Sequence, residues 1–393
     1  MIYLWALASL YLSVIFGKSG IISLEAIPYL IFSGFLFSKI YRYLFTDYLS
    51  LLTISSTARF LFGDPTLLLF AFKSTAMTLL IYVFFKYKSS LFSLPIVRFL
   101  FISSSFLNMV LIFLQYFLGI IWIPLFLRND GILINVQALR PIGLLADTHA
   151  SSFLNSFFII YLIHLLVNRG LPRVFCVLFL ALAFYTSLIC GSYASLLACI
   201  VQTSIYLLSL SNLFIRNPIK GLSLKLETLL FAVCSIGLFS GPLLSLLSTV
   251  LKSLFDNRAI ASIEIISYQL EYLFRNALLY IPLSPSIPPE IFVELGEASS
   301  FILNNRALDV GLEIGWFRAM YSYGIVSSIF LISITFHQLK HFRYYLFVVL
   351  FHYNHFLSNP LVFFYGASAS FLISNISSSL RPHPHAYWRV KHG

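Results

Sequence analysis

The sequence predicts an all-α fold, a polytopic transmembrane bundle of about twelve helices with one large outer loop. Two observations carry this. The 393 residues are 59% apolar and 10% charged, with a mean hydropathy of +0.91, whereas a soluble domain carries roughly 25% charged residues. Apolar stretches also recur from end to end, each long enough to cross about 30 Å of hydrocarbon at roughly 1.5 Å per residue. Runs such as Phe157 to Ile163 and Val177 to Phe184 are continuously apolar, which excludes the alternating pattern of a membrane barrel.

Read in order, helices are expected over residues 2–17, 21–38, 43–62, 65–85, 99–126 and 150–168. Further helices are expected over 174–190, 193–213, 226–250, 315–336, 344–358 and 360–378. Asp47 and Arg59 interrupt the third, and the last two are short and polar enough to be broken or re-entrant. Residues 2–16 lack the charged start of a secretory signal and are read as a retained first helix. The whole chain, 1–393, is expected to form a single integral membrane domain, with residues 252–314 as a large outer loop inside it.

Orientation follows from the basic residues, since short basic loops stay on the cytoplasmic side. With both termini inside, the inner segments hold Lys39, Arg42, Lys86, Lys88, Arg98, Arg169, Arg173, Arg216, Lys220, Lys225, Lys340, Arg343, Arg381, Arg389 and Lys391. Outer segments hold Lys18, Arg128, Arg140, Lys252, Arg258, Arg275 and Arg306. The net charge of +11 is thus a record of topology. It does not point to nucleic acid as a partner.

Arg59, Lys73 and Arg318 fall inside apolar segments, each towards the outer end of its helix. An ionisable group within a span faces a partner or a wet cavity, or else snorkels to the interface, and both readings stay open. Below loops that add Arg140, Arg275 and Arg306, these residues suggest a cationic chamber suited to a lipid-linked phosphate or diphosphate.

Eight of the 14 acids lie in the large loop: Asp256, Glu264, Glu271, Glu290, Glu294, Glu297, Asp309 and Glu313. The run Pro282 to Pro289 breaks it, and a short helix is expected to start near Glu290 with acids in its first turns. On a continuous helix Arg306, Asp309 and Glu313 share a face, either as an ion-pair ladder or as a general base beside phosphate-binding arginines.

The preceding outer loop reads Arg140-Pro141-Ile142-Gly143 and then Asp147-Thr148-His149. His149 is a candidate acid or base, with a capping or surface role as the alternative. His164, His352 and His355 fall within spans and are read as packing residues. Cys176, Cys190, Cys199 and Cys234 lie in or beside apolar segments and read as packing thiols. No carboxylate or cysteine spacing suits a metal, so neither metal nor cofactor is expected.

Two stretches resemble Wzy-type O-antigen and exopolysaccharide polymerases, within the superfamily shared with O-antigen ligases. One is Arg140-Pro141-Ile142-Gly143 leading to Asp147. The other is Glu313-Ile314-Gly315-Trp316 followed by Tyr323-Gly324-Ile325. The match departs from the family where a Ser-Arg pair is often found, since this chain has Gly191-Ser192 there. The large loop also lacks the histidine of the ligases, which favours polymerase over ligase.

The resemblance implies a multi-pass protein of the bacterial inner membrane that joins polyprenyl-diphosphate-linked oligosaccharide repeats at the outer face, with a chain-length regulator as a partner. It implies Glu313, His149 and Asp309 as catalytic residues. Taken with the cationic chamber read from the charges, it makes Arg140, Arg275, Arg306, Arg318, Arg59 and Lys73 the expected diphosphate-binding residues. A ligase of the same superfamily and a lipid-linked glycan flippase are the alternatives. The flippase is disfavoured by the lack of an internal repeat and by charges gathered at the outer side.

Overall fold

The structure is a computed structural model, and it describes residues 2–18, 78, 81–86, 89–119, 141–145, 147–168, 172–190, 193–214, 266–273, 275, 290–293, 308–311, 314–352 and 359–379. Within them the chain is helical apart from one two-stranded ribbon. The longer helices are α1 (Ile2–Lys18), α2 (Leu94–Leu118), α3 (Thr148–Val167), α4 (Arg173–Ile189) and α5 (Tyr193–Phe214). After the strands β1 (Glu290–Val293) and β2 (Leu308–Gly311) come α6 (Gly315–Tyr323), α7 (Ile325–Gln338), α8 (Arg343–His352) and α9 (Pro360–Ser379).

Local sequence sets most of these boundaries. Pro95 sits in the first turn of α2, where its missing N–H costs nothing, and Gly119 ends the helix at φ 77°. The expected span over 99–126 therefore starts earlier and stops sooner. Asn359 caps α9 by accepting a hydrogen bond from the Val362 N–H at 3.2 Å, with Pro360 next in the chain. The expected helix over 315–336 is two helices, because Gly324 between them adopts φ 78° and ψ 155°, backbone angles that suit only glycine. The final segment, which looked breakable, is an unbroken 20-residue helix.

Near Glu290 the expectation fails. Glu290-Ile291-Phe292-Val293 is a strand, paired antiparallel with Leu308–Gly311 so that Glu290 faces Gly311 and Phe292 faces Asp309. The β-branched and aromatic run outweighs the favourable placing of an acid at a helix start. Asp309 lies on the second strand and not on the continuous helix expected to carry it with Arg306 and Glu313, which lie outside the described residues.

The helix α3 lies at the centre. Almost its whole length is buried, and it packs against α2, α4, α5 and α9. The α2 and α3 helices run antiparallel: Phe101 meets Phe158 and Tyr161 near one end, while Asn108 meets Ser151 and Asn155 further along. The α4 helix is also antiparallel to α3, through Phe179 on Phe158 and Asn155 on Thr186. The α5 helix runs parallel to it, through Ser156 with Ser195 and His164 with Tyr206. Gly366 lets α9 approach α3, since a Cβ there would stand 2.9 Å from the Phe157 ring.

The outcome is a core rich in polar side chains and a surface rich in apolar ones. Ser105, Asn108, Gln115, Ser151, Asn155, Ser156, Thr186, Ser195 and Gln202 are buried, whereas Phe99 is 68% exposed and Val174 is 70% exposed. Among the described residues, Leu94–Leu118 and Thr148–Val167 are long and apolar enough to cross a membrane, and four further apolar helices are shorter.

Candidate functional site

The segment from Pro141 to Leu145 inserts between the ends of α2 and α3, with Ile142, Gly143 and Leu145 buried. A short irregular segment in such a place must find partners for its own backbone, and the sequence supplies them from two helices. Gln115 Oε1 accepts hydrogen bonds from the Ile142 N–H at 3.0 Å and the Gly143 N–H at 2.9 Å. Asn108 Oδ1 accepts from the Leu144 N–H at 2.8 Å, while its amide donates to the Ser151 carbonyl and to Asn155 Oδ1. The Ser151 hydroxyl donates to the Ile142 carbonyl at 2.6 Å. Gly143 takes φ +58°, and a Cβ there would collide with Asn108 and Ser151. Only glycine lets the strand of backbone come this close.

The seat fixes what leaves it on the C-terminal side. Asp147 Oδ1 accepts from the Ala150 N–H at 2.7 Å, capping α3, and His149 lies half-buried in the first turn. Asp147 thus takes the capping role, and the His149 imidazole sits two residues further on. Arg140 immediately precedes the seated segment and lies outside the described residues, as do Arg59, Lys73, Arg306 and Glu313.

Three other expected site residues lie among the described ones. Arg275 is exposed and forms an ion pair with Glu271 one turn away at 2.5 Å. Arg318 is half-buried in the first turn of α6, its backbone N–H donating to the Ile314 carbonyl at 2.9 Å. Asp309 sits opposite Phe292 in the ribbon. No family model, curated protein or solved structure matches the chain. The likeness to the Wzy-type polymerases therefore rests on the quoted residues.

A second glutamine repeats the device at the opposite end of the bundle. Gln202 Oε1 of α5 accepts from the N–H groups of Tyr344 and Tyr345 at 3.1 and 3.2 Å, serving the otherwise unpaired first turn of α8. The Tyr345 hydroxyl continues through Ser195 to Ser156 on α3. Nearby, His164 stacks on Tyr206 with ring centroids 3.8 Å apart, the packing role expected for it. His341, in the connection between α7 and α8, shares a hydrogen bond with Ser374 of α9.

Sequence reasoning missed Gln115, Asn108, Ser151 and Gln202. Their signal was present: Asn108 and Gln115 are seven residues apart and Ser151 and Asn155 four apart, so each pair marks one helical face inside an apolar stretch.

Proposed function

We propose that the protein is a polytopic membrane glycosyltransferase that joins polyprenyl-diphosphate-linked oligosaccharide repeats at the outer face of the bacterial inner membrane. The observation that carries this reading is the seat built by Gln115, Asn108 and Ser151 for residues 141–145. It fixes the backbone of residues 142–144, inside the stretch from Arg140 to His149 that is one of the two carrying the resemblance. Two features support the membrane setting. Serine, asparagine and glutamine side chains are buried within the apolar core while large apolar side chains such as Phe99 and Val174 face outward, as suits a lipid-facing surface. Segments expected on the inner side also meet at one end of the bundle, as Tyr3 does with Phe92 and His164 with His341.

In this reading the hydroxyl of an incoming repeat is deprotonated as it attacks the anomeric carbon of the growing chain. The bond from that carbon to the diphosphate oxygen breaks, and polyprenyl diphosphate leaves. Glu313 or His149 takes the proton, and the planar forks of Arg140, Arg306 and Arg318 hold the departing diphosphate through charge-assisted bonds. Deleting the gene tests it: lipid-linked single repeats should accumulate and long polymer should vanish, whereas long polymer of unchanged length distribution ends this reading. The topology has its own check. Strong labelling by an impermeant reagent of a cysteine placed at Ser223 in intact cells, with none at Ser286, overturns the orientation.

A further inference from the structure

We propose that the exposed face of the helical segment 266–273 is a carbohydrate-binding platform, on which Tyr268 and Tyr272 stack against pyranose rings of the lipid-linked glycan. The proposal rests on the glycosyl-transfer reading for the identity of that glycan, and it adds a place for the sugars beside the diphosphate.

The spacing of exposed and buried residues defines the platform. Tyr268, Glu271, Tyr272 and Arg275 follow one another at i, i+3, i+4 and i+7, the pattern of a single helical stripe, and all four are exposed. Ile266, Gln269, Leu270 and Leu273 fall on the other side and are buried. The two tyrosines stand about 6 Å apart along the axis at roughly 1.5 Å per residue, close to the length of one pyranose unit. Neighbouring sugars of an extended glycan therefore meet neighbouring rings. The ion pair between Glu271 and Arg275 lies on the same stripe, and it offers an acceptor and several donors to the sugar hydroxyls.

The chemistry of the stripe favours a sugar over a lipid surface. A helix lying on a membrane puts its aliphatic side chains into the lipid and sets lysine and arginine on its polar face. Here the three aliphatic side chains of residues 266–273 are buried in the protein, and the exposed stripe includes a carboxylate. The large exposed side chains of α2 and α4 are of another kind, such as Phe99, Phe106, Val174 and Leu178. A tyrosine ring, flat and apolar with a polar tip, suits a ligand that is apolar on its ring face and polar at its edge. The platform also leads towards the proposed site. The Tyr272 and Tyr321 hydroxyls lie within electrostatic range of one another, and Tyr321 follows Arg318 by three residues on α6, hence on the same helical face. A glycan whose diphosphate is held at Arg318 then has its following sugars over Tyr272 and Tyr268.

Binding is measured on the full chain in nanodiscs, separately from polymer formation. The probe is the host's own surface polysaccharide, cut by mild acid to oligosaccharides of a few repeats, and saturation-transfer NMR reads the contact between protein and sugar protons. Saturating the aromatic protons of the wild type should reach the ring C–H groups of the sugar. Tyr268→Ala and Tyr272→Ala should each weaken binding by about threefold to tenfold, the loss expected for one aromatic contact. Tyr272→Phe keeps the ring and should bind within about twofold of wild type. Tyr272→Leu separates sugar from lipid: it keeps the apolar surface that a membrane anchor needs, and it should lose binding as Tyr272→Ala does. Both tyrosines are exposed, so these variants should fold as the wild type does. Binding by Tyr272→Leu or by both alanine variants equal to wild type, or no binding by the wild type, overturns the platform. Tyrosine-dependent binding that persists while a gene deletion leaves long polymer unchanged ends the glycosyl-transfer reading and keeps the platform. Loss of polymer on deletion without tyrosine-dependent binding ends the platform alone.

Discussion

Replacing Gln115 by leucine removes the one acceptor that serves both the Ile142 and Gly143 N–H groups. Both donors are buried, and leucine fills much of the same space, so water has little room to replace the amide oxygen. Each orphaned donor costs about 1–3 kcal/mol, which makes the substitution worth about 2–6 kcal/mol. Against a total stability of about 5–15 kcal/mol that is a large share. The comparison is Phe113→Leu, an exposed apolar position on the same helix, expected to change stability by about 0.5 kcal/mol or less. The thiols of Cys176, Cys190 and Cys199 are buried, so a thiol-reactive fluorophore reports unfolding in mixed micelles as the fraction of denaturing detergent rises. Hydrogen exchange gives the local readout: the amides of Ile142 and Gly143 should be protected in the wild type and exchange freely in Gln115→Leu. If the two variants unfold at the same point and the two amides exchange alike in both, the seat does not hold the loop.

Three further outcomes follow from the same structure. Gly143→Ala should destabilise by more than the roughly 1–2 kcal/mol of left-handed strain, because its Cβ would also stand 2.5 Å from Ser151 Oγ and press on Asn108; the thiol assay measures it. His341 is held neutral: burial first, then Lys340 and Arg343, bring its pKa from 6.5 down to about 4. Its contribution to stability is therefore complete above pH 6.5 and is lost as pH falls from about 6.5 towards about 4. With the His164 ring also facing it, His341→Gln should reduce the acid-side slope of stability against pH without altering the plateau above 6.5. At the proposed site, Arg140→Lys and Arg318→Lys should lower polymer yield because the planar fork is lost, and Glu313→Gln should cut the rate by about 10² to 10⁴. Near wild-type polymer from all three at matched protein abundance would make the cluster structural.

What the sequence revealed and what it hid divide along a physical line. Segments governed by one-dimensional quantities were readable: the apolar runs of α1, α3, α4, α5 and α9 agree with the structure to within a residue or two at most ends, since burial of a long apolar stretch decides them. Where two local signals competed, the reading failed. At Glu290 an acid suited to a helix start precedes Ile-Phe-Val, and the strand formed because Leu308–Gly311 pairs with it from well along the chain. No local window contains that partner. The candidate site divides the same way. Arg140, Asp147 and His149 could be picked out by residue type, but the roles of Gln115 and Asn108 depend on a loop that returns to them from 27 and 36 residues away. In an apolar helix a lone amide is costly unless something answers it. The two glutamines, Gln115 and Gln202, both answer backbone N–H groups of a segment that could not pair with itself. An unpaired amide in an apolar run is therefore better read first as a receptor for irregular backbone, and as a ligand for substrate only once that backbone is accounted for.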